Sequence, residues 1–159
     1  MFMAALILIL STALFFFYFQ VTCQRILRRQ FEQEYFQSIV NANRLEFPSV
    51  QKALEEFDAP VDYARLRTVL KCDFLALTYL LKNAANVNQK YSNEDRLLIL
   101  YFRAVFFWMG LRHLFRLNRE RISVLRLTQI LKYFANVVGQ RVNMVRFGNL
   151  TATDYLLNL

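Results

Sequence analysis

The sequence predicts an all-α protein, with a single N-terminal transmembrane helix followed by an antiparallel helical bundle of about three long helices plus short ones. Three observations carry that expectation. Residues 2–23 contain no charged side chain. Much of the remaining chain repeats apolar residues at intervals of three and four, the period of a helix face. Only three Gly and two Pro occur in 159 residues, too few turn formers for a sandwich or barrel of many short strands. The divisions that follow are 1–23 for the anchor, 24–60 for a juxtamembrane helix and a short helix, and 61–159 for a basic helical bundle.

The opening, "MFMAALILILSTALFFFYFQVTC", is long enough to cross a bilayer, since its uncharged helix would reach about 33 Å against a hydrocarbon core of roughly 30 Å. A cleavable secretory signal is disfavoured because no basic stretch precedes the apolar run and bulky "FFFYFQVTC" stands where small residues should be. "QVTC" likewise lacks the small residue expected before a lipoprotein cysteine. Arg25, Arg28 and Arg29 follow the run at once, while only the α-amino group precedes it, so positive charge is expected to hold this end in the cytoplasm and leave the N-terminus outside. Tyr18 and Cys23 are then expected at the membrane edge. "NLT" at 149–151 matches a glycosylation sequon but, on this topology, would never meet the enzyme.

Next, "RILRRQFEQEYFQSIVNANRLEF" carries Leu27, Phe31, Tyr35, Phe36, Ile39 and Val40 at helical spacing, and this helix is expected to continue the anchor until Pro48 ends it. "SVQKALEEF" makes a short segment, closed by "DAP", where Asp58 can cap and Pro60 suits a first turn. From 61 to 84, Leu66, Leu70, Phe74, Leu77, Leu81 and Ala84 trace one face. The polar stretch "NAANVNQKYSNED" is the clearest loop, and Ser92 with Asp95 resembles a capping box. "RLLILYFRAVFFWMGLRHLFRL" is apolar on every side from 97 to 111 except at Arg103, which predicts the central, most buried helix. A second span is disfavoured there, because the run is short and a guanidinium at a bilayer centre costs about 2.5 kcal/mol or more. Asn118 can cap a third long helix to about Phe147, with Leu127, Ile130, Leu131, Phe134, Val138, Val142 and Val145 on one face and Gly148 at its end. "TATDYLLNL" then restarts, with Thr151 and Asp154 as cap-like residues.

Asp73 falls on the apolar seam of the helix from residue 61, where a carboxylate is costly unless paired. Arg103 poses the same problem on the next helix. An antiparallel register about the loop near 87–92 brings the two within one turn, predicting a buried Asp73–Arg103 ion pair that fixes register.

Residues 1–95 carry ten basic and ten acidic side chains, while 96–159 carry ten basic and two acidic, so the whole net charge of +8 lies in the second part. Arg112, Arg116, Arg119, Arg121 and Arg126 cluster where the second long helix turns into the third. Together with Arg25, Arg28 and Arg29 they are the candidate contacts for anionic lipid or another anion. Nucleic acid is disfavoured, since no glycine-rich clamp, zinc spacing or aromatic RNA-binding pattern accompanies the arginines.

No catalytic, cofactor-binding or metal-binding motif is found. His113 has no carboxylate, Cys or Ser at a recognised spacing, and Cys23 and Cys72 form neither a disulfide framework nor a paired ligand set. The neighbouring carboxylates Glu32 and Glu34, like Glu55 and Glu56, diverge on a helix. The expectation is therefore not an enzyme but an accessory, scaffold or interaction subunit of a membrane complex, with the bilayer and a protein as its partners. The alternative is a module that binds anionic lipid or an acidic ligand at the cytoplasmic membrane surface.

Overall fold

The computed structural model describes residues 2–29, 31, 34–56, 62–83, 92–115 and 120–157, with side chains through residue 144 except at 2, 56 and 120. Among the described residues there are six helices and no strand: α1 (Phe2–Leu27), α2 (Phe36–Asn43), α3 (Phe47–Glu56), α4 (Tyr63–Asn83), α5 (Asn93–Leu114) and α6 (Glu120–Leu157). Two of them, α1 and α5, are long and apolar enough to cross a membrane.

The central helix is α6, not α5 as its all-round apolarity suggests. α6 packs against each of the other five helices and buries Val124, Leu127, Ile130, Leu131, Phe134, Ala135 and Val138. On α5 only the face carrying Leu98, Tyr101, Phe102 and Met109 is covered. A bundle this small has one core to offer, so an apolar helix at its side leaves its other face bare. α4 supplies Leu66, Leu70, Phe74, Leu77 and Leu81 to the same core, where Phe74 stacks on Phe102 with ring centroids 3.9 Å apart.

α1 behaves as two pieces of one rod. Residues 3–18 are exposed throughout, whereas Phe19, Cys23, Ile26 and Leu27 form a single stripe packed on the bundle. Cys23 is fully buried there, so it faces protein and not the membrane edge. Tyr18 is exposed, and so is Cys72 on α4.

α1 does not continue to Pro48. It stops at Leu27 because the chain must cross α6 before α2 begins. The crossing is made at Gly139, where a Cβ would lie 2.2 Å from Tyr35 Cβ. Two α6 amides hold it there: Asn136 Oδ1 accepts from the Phe36 N–H at 2.8 Å, opening α2, and Asn143 Nδ2 donates to Tyr35 Oη at 2.7 Å. α2 then ends at Arg44 in the left-handed region, with φ 51°. Pro48 therefore sits in the first turn of α3 instead of terminating its predecessor, a position where its missing N–H costs nothing.

The buried Asp73–Arg103 pair does not form. Asp73 is buried on α4 as expected, yet its Oδ2 accepts from the N–H groups of Glu46 and Phe47 at 3.0 and 2.7 Å, capping α3 from a neighbouring helix. Arg103 lies on the exposed side of α5. Two free amides at a helix start satisfy a carboxylate without any counter-charge. Burial still raises the Asp73 carboxyl above its ordinary range, with the two amide bonds pulling the other way.

Register is set instead by Asp95 and Arg141. The Ser92 N–H donates to Asp95 Oδ2 at 3.0 Å, the acidic half of the anticipated capping box. The same oxygen takes Arg141 Nη2 of α6 at 2.5 Å, and Arg141 Nη1 donates to the Leu81 carbonyl in the last turn of α4 at 3.2 Å. One guanidinium thus joins the end of α4, the start of α5 and the middle of α6.

Other end signals differ in detail. Asp62 caps α4 by accepting from the Ala64 N–H at 3.0 Å. Asp58, Pro60 and Asn118 lie outside the described residues, as do the side chains of Val145, Thr151 and Asp154. α6 does not stop near Phe147: its backbone passes Gly148 without a left-handed turn and reaches Leu157.

Candidate functional site

The structure divides the candidate arginines into two places. Arg112 and Arg121 stay at the α5–α6 end, where Arg112 lies over the Trp108 ring at 5.8 Å and donates to Ser123 Oγ at 3.4 Å. Arg116 and Arg119 lie outside the described residues. Arg25 sits exposed in the last turn of α1, where its charge complements the carbonyl end of the helix. Arg28, Arg29 and Arg126 come together at the other place, a cleft of about 630 Å³ between the end of α1 and the outer side of α6.

Lys132 joins these three, and it was not among the residues singled out. α6 offers the cleft one stripe, Arg126, Gln129, Lys132, Tyr133 and Asn136, opposite its core face. α5 contributes Tyr101, and Leu27 with Phe31 supply apolar wall. A polar stripe at steps of three and four on an otherwise buried helix is a legible signal. In sequence alone it is masked, because Arg126 falls in line with Arg112, Arg116, Arg119 and Arg121.

Electrostatically the cleft is lopsided. Glu34 is its one acidic lining residue among the described residues, and it meets Lys132 Nζ at 3.6 Å. Arg29 Nη1 reaches Glu94 Oε2 at 3.4 Å. Both pairs are largely exposed, so water screens them and each is worth about 0–1 kcal/mol. Tyr133 Oη donates to Glu94 Oε2 at 3.5 Å. Burial first, and the Glu94 carboxylate second, push its phenol up to about 12, which keeps it a neutral donor at physiological pH.

A second exposed feature is apolar. On α5, Leu100, Ala104, Phe107, Leu111 and Leu114 fall on one side at helical spacing, flanked by Trp108 and Phe115. Phe107 is 68% exposed and Leu114 74%. The contacts Arg29–Glu94 and Phe19–Tyr101 show that α1 and α5 run in opposite senses. Moving toward the free apolar end of α1 is therefore moving toward the aromatic end of α5.

No catalytic constellation is evident among the described residues. His113 stacks on Tyr63 with rings 3.7 Å apart. Among the described residues, no three His, Cys, Asp or Glu side chains gather as a metal site. No family model, curated protein or solved structure matches the chain.

Proposed function

We propose that this protein is a single-pass, membrane-anchored accessory subunit whose bundle docks a partner protein through the outward face of α5. The observation that carries the reading is the row Leu100, Phe107, Trp108 and Leu114, exposed on a domain whose core is already filled. Aromatic residues at the centre of a patch, with Arg103 and Arg96 beside it, have the composition of a protein interface. The anchoring half of the reading rests on residues 3–18 of α1, which have no polar face for water and no protein cover. Arg25, Arg28 and Arg29 favour a cytoplasmic bundle and an external N-terminus.

The test is a photo-crosslinking amino acid at position 107 of the full-length protein in its own membranes, with position 71 on the exposed side of α4 as control. A discrete protein adduct at 107, absent at 71 and retained in high salt, supports docking through α5. Equal labelling at both positions, or none at 107, rules it out. The alternative, recognition of an anion at the membrane, is favoured by a separate observation, the cationic cleft.

A further inference from the structure

The cleft between α1 and α6 holds two cations with no carboxylate opposite them among the described residues. Arg29 and Lys132 have carboxylates opposite them, whereas Arg28 and Arg126 have no ion-pair partner among the described residues. Beside Arg126 lies the Tyr101 hydroxyl, on a residue only 5% exposed; the guanidinium bears on it, and no other partner for it is present among the described residues. Buried polar groups are almost always satisfied, and here a cleft of ordinary ligand size opens beside one whose neighbour is a guanidinium of the cleft wall. Gln129 and Asn136 add amide groups to its wall.

We propose that this cleft binds a phosphate group, with the guanidinium groups of Arg28 and Arg126 taking its oxygens and the Tyr101 hydroxyl donating from the buried side. Guanidinium forks match the spacing of phosphate oxygens and bind them through paired, charge-assisted hydrogen bonds. Lys132 adds a point charge, and the Leu27 and Phe31 wall suits the carbon skeleton that carries the phosphate. The site itself does not require the anchoring proposed above; only the source of the phosphate does. With α1 in a bilayer the cleft lies at the headgroup level, so a phospholipid is the expected source. A soluble phosphomonoester would meet the same donors.

The full-length protein in a non-ionic detergent is titrated by calorimetry with dioctanoyl phosphatidic acid and, separately, with inorganic phosphate. Saturable binding near one equivalent is expected, weakened at least about tenfold by Arg126→Gln with Lys132→Gln, since charge-assisted bonds are the strong ones. Arg65→Gln with Lys71→Gln removes the same charge from exposed positions on α4 and is expected to leave binding within about twofold. Should the first pair fail to fold, Tyr101→Phe removes only the hydroxyl, keeps the ring against Phe19, and is expected to weaken binding several-fold. Lipid preferred over inorganic phosphate assigns the site to a headgroup, and equal affinity assigns it to a free phosphate; both support it. Absence of binding by either ligand, or an equal loss in the α4 control, overturns it. Failure of the anchor is read separately, as release of the protein from membranes with phosphate binding intact.

Discussion

Replacing Arg141 with Met tests the junction that holds three helices. Asp95 is 3% exposed and Arg141 14%, so the pair is buried on its acidic side, and the substitution leaves that carboxylate without its counter-charge. Breaking such a pair from one side costs about 3–5 kcal/mol. The Leu81 carbonyl also loses its donor. Because the Ser92 amide still bonds Asp95, the lower end is expected, and at a urea slope of about 2 kcal/mol/M a loss of about 3 kcal/mol lowers the midpoint by about 1.5 M. Asp95→Asn should cost a similar amount, and the double variant less than the two together by about 2 kcal/mol, because it strands no charge. The assay is urea unfolding of the full-length protein in detergent, followed by far-ultraviolet circular dichroism. Single variants that each cost under about 1 kcal/mol and simply add would refute the reasoning.

Three further outcomes follow from particular contacts. Gly139→Ala should destabilise by about 1–3 kcal/mol because its Cβ meets Tyr35, while Gly110→Ala, whose nearest neighbour is Tyr63 Oη at 3.8 Å, should be neutral or gain up to about 1 kcal/mol; thermal melts compare them. Asp73→Ala should cost about 1–3 kcal/mol, whereas Asp73→Asn keeps an acceptor for both amides and relieves a buried charge. Since burial raises the Asp73 carboxyl, its favourable contribution is complete below the unfolded value and is lost as pH rises through the folded one. Wild type should therefore lose ground to Asp73→Asn as pH rises above about 4, and a constant or reversed difference counts against this. Maleimide should label Cys72 in the native protein and reach Cys23 only on unfolding, as mass spectrometry would show.

Much of the architecture was legible because it rests on local pattern. The uncharged run of α1, the seam Leu66–Leu70–Phe74–Leu77 and the acidic residue of the capping box each depend on residues within a few turns of one another. What failed depends on tertiary position. Asp73 was rightly read as a carboxylate needing a partner, but the partner was a backbone end 26 residues away, which carries no sequence signature. α5 was read as central because it is apolar all round, yet apolarity does not say how many neighbours a helix has. The cleft was half legible: Arg28, Arg29 and Arg126 were singled out, but their convergence depends on the chain stopping at Leu27 and crossing α6 at Gly139. That crossing is encoded by one glycine and two asparagines that no helical period brings forward.

The proposed function depends most on α1 remaining in a bilayer as part of the working protein. Alkaline carbonate extraction of membranes carrying the full-length chain addresses this directly, because it strips proteins held by charge and leaves those held by apolar burial. Retention in the membrane pellet is the predicted result, and release into the soluble fraction would contradict the account.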